Sequence, residues 1–112
     1  MEMELKDVEG VGVIHIRGEL DALTAPELNS FFDTQVEDKY LKLVADLEGL
    51  SYSSSAGIRV FLGLARTCRQ KGGDLCFARL QPRVDKIFKL SKFDRIIKIF
   101  PEVEDAVKSY ND

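Results

Sequence analysis

At 112 residues, with 45% hydrophobic and 31% charged side chains and no Gly/Ser/Pro-rich tract, the chain has the length of one compact domain over residues 1–112 and leaves no room for two. Its net charge of −3, from 16 basic and 19 acidic residues, reads as a balanced surface, which argues against nucleic acid as a partner. No apolar stretch reaches membrane-spanning length and no charged-then-apolar leader opens the sequence, so a soluble cytoplasmic protein without direct membrane insertion is expected.

Two short strands, Met3 to Val8 and Val11 to Arg17, are predicted first. Glu9-Gly10 joins them as a hairpin, with Ile14 and Ile16 on one face and His15 on the other. A loop over Gly18 to Asp21 follows. Thr24-Ala25-Pro26-Glu27 then fits a capping box and opens a helix whose stripe is Leu28, Phe31 and Phe32 and whose end falls near Asp38. The third strand, about Leu41 to Asp46, is apolar on both faces, as a central covered strand is. It runs to the turn Ser53-Ser54-Ser55, where Ser55 is placed as N-cap of a second helix from Ala56 to about Lys71. Gly72-Gly73 ends that helix, and Asp74 to Arg79 forms the fourth strand. Pro82 starts a short helix with Val84, Ile87 and Phe88 on its apolar side. Ile96 to Phe100 could form an edge strand, and Val103, Ala106, Val107 and Tyr110 mark a last helix opened by Pro101. An α/β fold follows, with a mixed four- to five-stranded sheet and about four helices.

The chemistry-bearing residues are few. Cys68 and Cys76 are too few for a zinc site, and Cys76 within Leu75-Cys76-Phe77-Ala78 reads as a buried reduced thiol. His15 reads as an ordinary strand residue, and Asp21, Asp46 and Glu48 as caps or solvated charge at loop ends. Val60 and Leu64 form a second apolar stripe on the second helix, read as packing against a neighbouring helix. Gly49-Leu50-Ser51-Tyr52-Ser53 matches a nucleophile elbow only in part, and no base is in evidence to activate a serine, so hydrolase chemistry has little support. No phosphate-cradling loop or metal-spaced carboxylate cluster occurs, and no cofactor is expected. The serine turn is then a polar loop with a cap, or a place where another enzyme adds a phosphate beside a helix N-terminus that favours anions. Gly57 in that reading lets a partner's backbone come close.

Two segments carry a resemblance: Gly18-Glu19-Leu20-Asp21-Ala22-Leu23-Thr24-Ala25-Pro26-Glu27-Leu28, and Asp46-Leu47-Glu48-Gly49-Leu50-Ser51-Tyr52-Ser53-Ser54-Ser55-Ala56-Gly57-Ile58-Arg59-Val60. Together they resemble the STAS domain, shared by anti-sigma factor antagonists and sulphate-transporter tails, and the likeness continues through Lys71 to Leu75 and Val84 to Ile97. It implies a non-enzymatic partner-switching regulator, with no catalytic residue of its own. Such a protein binds an anti-sigma factor that is also a serine kinase, is released when that kinase phosphorylates it, and is reset by a PP2C-type phosphatase. The acceptor position corresponds to Ser55, with Ser54 as second candidate, and the docking surface to Asp21, Thr24, Ser53, Ser54, Ser55, Gly57, Ile58 and Arg59. Ser54 stands where regulatory members often carry aspartate, one negative charge fewer beside the acceptor. The alternative within the same family is a subunit of a membrane lipid-transport complex, docking on a transporter ATPase with no phosphoserine cycle.

Overall fold

A computed structural model describes all residues, Met1 to Asp112. Strands β1 (Glu2–Val8) and β2 (Val11–Leu20) form the hairpin, turning through Glu9 and Gly10 with φ of 53° and 84°. Two consecutive positive φ values are what a two-residue hairpin needs to match the strand twist. Helix α1 (Ala25–Phe31) follows and runs into a π-helical turn over Phe32–Val36. Then come β3 (Lys42–Ser53), α2 (Ser55–Gln70), β4 (Asp74–Ala78), α3 (Pro82–Leu90), a 3-10 turn at Phe93–Arg95, β5 (Ile99–Phe100) and α4 (Val103–Asn111). The sheet order is β1-β2-β3-β4-β5, with β1 antiparallel to β2 and the other neighbours parallel. Five strands and four α-helices make up the mixed α/β fold expected from the sequence.

Alternation along the strands feeds two cores. On one face Ile14, Ile16, Leu43, Ala45, Leu47, Leu75 and Phe77 meet Leu28 and Phe32 of the first helical segment, Phe61, Leu64 and Cys68 of α2, and Val84 and Phe88 of α3. On the other face Val11, Val13, Val44, Cys76 and Ala78 are covered by Ala106 and Val107 of α4. Strand β3 is therefore buried on both sides, as its unbroken apolar run requires. Tyr110 in the last turn of α4 donates to the Leu43 carbonyl at 2.8 Å. Both thiols are buried, and burial pushes each up to about 11. Leu64 is buried and Val60 half-buried on α2, which packs against α1.

Several boundaries differ from expectation, each for a local reason. Strand β2 runs on through the expected loop to Leu20, because Gly18 at φ 116° allows a bulge after which pairing with β3 resumes. Strand β3 likewise continues past Asp46 to Ser53, with Gly49 packed against Arg17 so closely that a Cβ would lie 3.2 Å from the Arg17 Cα. The capping box does not form: Thr24 makes no side-chain cap, and its hydroxyl is engaged by the loop before it. Arg79 leaves the fourth strand at φ 58°, and only Ile99–Phe100 of the expected edge strand pairs with β4.

Phe61, Phe77, Phe88 and Phe93 join α2, β4, α3 and the 3-10 turn through one aromatic cluster. Phe88 lies 5.2 Å from Phe77 and 5.2 Å from Phe93, centroid to centroid. Phe88→Ala empties a fully buried site and is expected to lower unfolding free energy by about 3–5 kcal/mol, read from the urea midpoint at unchanged slope.

Candidate functional site

The serine turn lies where β3 hands over to α2. Leu20 of β2 pairs with Ser53 of β3, and the next residue, Ser54, donates its N–H to the Leu20 carbonyl at 2.8 Å. That bond holds Ser54 as the last extended residue, and the helix begins at Ser55, one position earlier than expected. The N-cap is consequently Ser54 and not Ser55. Its backbone is extended at φ −83° and ψ 175°, and its Oγ accepts from the Gly57 N–H at 3.4 Å.

The three hydroxyls thereby acquire different environments. Ser53 is 1% exposed and its Oγ donates to the Ser54 carbonyl. Ser54 is half-buried and committed to the cap. Ser55 is the first helical residue, exposed, and takes no part in the hydrogen bonds of the turn. Gly57 is buried, and a Cβ on it would lie 2.6 Å from both Ser53 Oγ and Leu20 Cδ2. Its missing side chain lets β2, β3 and α2 converge inside the protein, not a partner approach from outside. Ser53 and Gly57 therefore drop out of the expected contact surface, both being buried by that convergence. Ile58 is half-buried against the main core and Arg59 is exposed.

Beside the turn, the loop after Leu20 is held by its own side chains. Asp21 Oδ1 accepts from the N–H groups of Leu23 at 2.9 Å and Thr24 at 3.0 Å. Thr24 Oγ1 accepts from Asp21 N–H at 2.9 Å and donates to the Glu19 carbonyl at 2.8 Å. The Thr24 N–H, foremost among these donors, holds the Asp21 carboxyl below its ordinary value. The loop so braced displays Leu23 at 86% exposure. Sequence reading passed over Leu23 because it lies on no helical stripe.

A second polar group was also missed. Asp46, inside the apolar run of β3, is 3% exposed and lies between His15 of β2 and Arg79 after β4. Its Oδ2 is 2.6 Å from His15 Nδ1 and 2.7 Å from an Arg79 terminal nitrogen, while Oδ1 accepts from Arg79 Nε at 3.0 Å and Glu48 N–H at 3.2 Å. Burial pushes this carboxyl up, but the bonds from Arg79, Glu48 N–H and His15 outweigh it and hold Asp46 below the usual carboxylate range. Arg79 also pairs with Glu48. The reading of Asp46 as solvated charge or a cap is corrected here, since register across the three strands makes it a buried counter-ion, while Glu48 is exposed as expected. An Asp–His pair is present, yet the ring's one side-chain bond is to Asp46 and none of the three serines bonds to it. No group of three or more His, Cys, Asp or Glu is arranged to hold a metal ion. No helix is long and apolar enough to cross a membrane.

The profile of the STAS domain matches residues 2–106. The chain belongs to the STAS domain family. BtrV of Bordetella bronchiseptica, named as a candidate anti-sigma factor antagonist, is 33% identical over 101 residues, which cover 90% of this chain and 84% of that protein. The anti-sigma-B factor antagonist of Listeria monocytogenes is 28% identical over 99 residues, 88% of this chain and 86% of its own. In fold, the STAS chain superimposes on a candidate antagonist of Thermotoga maritima with a TM-score of 0.90, covering 98% of this chain and 95% of that one at 21% identity. Unphosphorylated SpoIIAA gives 0.80, covering 99% and 98% at 22% identity.

Two outcomes test the geometry. Gly57→Ala forces a methyl against Leu20 and Ser53 and should cost about 1–3 kcal/mol of stability, measurable by denaturant unfolding. The folded pKa of Asp46 lies below its unfolded value, so its contribution is complete above the unfolded pKa and is lost as pH falls through the folded one. Asp46→Asn should therefore flatten the acid limb of stability against pH below about 4. At neutral pH it should cost about 2 kcal/mol, less than a wholly buried pair, because Arg79 is 35% exposed and keeps Glu48.

Proposed function

We propose that this STAS protein is a phosphorylation-controlled partner switch, an anti-sigma factor antagonist without catalysis of its own. In the unphosphorylated form it binds an anti-sigma factor that is also a serine kinase. Phosphorylation of Ser55 by that kinase releases it, and a PP2C-type phosphatase restores the hydroxyl. The observation that carries this reading is the division of labour in the turn: Ser53 is buried, Ser54 caps the helix, and Ser55 is exposed with its hydroxyl free of the turn's hydrogen bonds. The names of the Bordetella and Listeria relatives support the same class of role.

The electrostatics agree. A phosphate on Ser55 adds roughly −1.5 to −2 charges at the first turn of a 16-residue helix, whose N-terminal partial positive charge tolerates an anion, so the domain stays folded. Arg59, one turn further along, is exposed and within reach of that position by helical spacing. A partner that fits a neutral hydroxyl must then bury an unmatched phosphate, and a tenfold loss of affinity requires only about 1.4 kcal/mol. Serine caps a helix about as well as aspartate, so Ser54 supplies the cap that an aspartate there would supply, without the charge.

Incubation with the cognate kinase and ATP, followed by tryptic digestion and tandem mass spectrometry, is expected to place one phosphate on Ser55. Cleavage after Lys42 and Arg59 leaves all three serines in one peptide, so fragment ions must separate them. Ser55→Ala should stay bound to the kinase unmodified, and Ser55→Asp should bind at least about tenfold more weakly. An unmodified chain in the presence of active kinase, phosphate on Ser53, or equal affinities of the two variants would remove the switch and favour a docking subunit.

A further inference from the structure

The acidic and basic residues are not spread evenly, contrary to the balanced surface expected from their totals. Residues 1–53 hold twelve acidic and four basic side chains, whereas residues 54–100 hold three acidic and eleven basic. Because α1 lies in the first segment and α2 and α3 in the second, the fold turns this asymmetry into geography. All three helices cover the same face of the sheet. The outward side of α1 and the turn after it carries Glu27, Asp33 and Asp38, while α2 and α3 turn outward Arg59, Arg66, Arg83, Lys86 and Lys89. Of those five cations only Lys89 has an ion-pair partner, Asp85 at 2.8 Å. At the foot of the patch Leu90 is 75% exposed. At the other end, Arg59 lies one helical turn from Ser55.

We propose that the outward side of α2 and α3 is a docking surface for an acidic face of the anti-sigma kinase, with an apolar depression on that partner receiving Leu90. This rests on the reading given under Proposed function and adds a second contact to the one at Ser55. Exposed cations, of which Arg83 also lies over the Tyr52 ring at 5.0 Å, together with an exposed leucine call for an anionic partner that also offers apolar surface. Duplex nucleic acid presents phosphates but no such depression, and Asp85 on α3 and Asp94 in the 3-10 turn after it, together with the net charge of −3, oppose a uniformly charged polyanion. A folded acidic surface meets discrete charges one by one. The bipolar layout also fixes orientation: the same partner turned end for end would bring its acidic side against Glu27, Asp33 and Asp38.

The test measures association and dissociation of the full chain with its cognate kinase at 50, 150 and 300 mM salt, steps that shorten the screening length about 1.7-fold and then about 1.4-fold. The wild-type association rate should fall steeply with salt. Arg66→Glu/Lys86→Glu should slow association about tenfold at the lowest salt and flatten the salt dependence. Saturating kinase should still phosphorylate its Ser55. Leu90→Ser should raise the dissociation rate and leave association unchanged. If the double reversal unfolds, as circular dichroism would reveal, Arg66→Gln/Lys86→Gln replaces it with the same direction expected. Unaltered rates and salt slope in a kinase-binding wild type would overturn this surface while leaving the Ser55 switch intact. No wild-type binding to active kinase at any salt would overturn the partner reading and this surface with it. Binding to phosphatidylglycerol vesicles or to a 20-base-pair duplex at 150 mM salt, abolished by the reversals, would assign the face to another occupant. So would a wild-type dimer dispersed by them.

Discussion

Everything at the serine turn depends on how far the parallel pairing of β2 and β3 is carried. A bulge at Gly18 lets the ladder resume, and the Ser54 N–H to Leu20 carbonyl bond takes it one step past the last paired residues. That bond ties the Asp21 loop and the start of α2 to a common strand end. It also sorts three chemically identical side chains. The residue still in the strand points inward, the residue at the corner must cap, and the next is lifted to the surface. A packed interior at Gly57 then fixes the angle at which the helix leaves, because β2 and β3 contact α2 there with no room for a methyl group.

Much of the fold was legible because periodicity is a backbone property. The hairpin, the doubly buried β3, the short α3 and the spacing of α4 all follow from alternation or 3.6-residue repeats. Where the reading failed, the decision lay with residues far away in sequence. Nothing local to Gly18 or Gly49 announces that two strands will keep pairing past them, since a glycine in a polar stretch marks a loop as readily as a bulge. For the same reason Ser55 rather than Ser54 was taken as cap. Asp46 was misjudged because an aspartate at the end of an apolar run is usually solvated; its partners, His15 and Arg79, are 31 and 33 residues away and meet it only through sheet register. Of the residues assigned to a docking surface, Ser53 and Gly57 proved to be interior. The family resemblance supplied what periodicity could not, namely which loops to compare.

Charge shows a related division between total and arrangement. A net charge is blind to order along the chain, whereas the order of helices on the sheet turns a segmental bias into opposite-sign flanks. The Asp46 cluster has a different use of charge: it is buried, internally neutralised in large part, and joins the β2, β3 and β4 strands on the side of the sheet that α4 covers only partly. One arrangement lies on the outer surface of the helices and the other ties the strands together beneath them.

The two ends of the sheet bear on the protein's life in a crowded cell. Strand β1 offers one free edge and β5, two residues long, the other. Along β1 the exposed side chains include Glu2, Glu4, Lys6 and Asp7, so a copy adding itself edge to edge, parallel and in register, would bring like charges into apposition. The far edge is too short to template a ladder. A few charges on the first strand thus oppose parallel, in-register growth of the sheet by copies of the same chain.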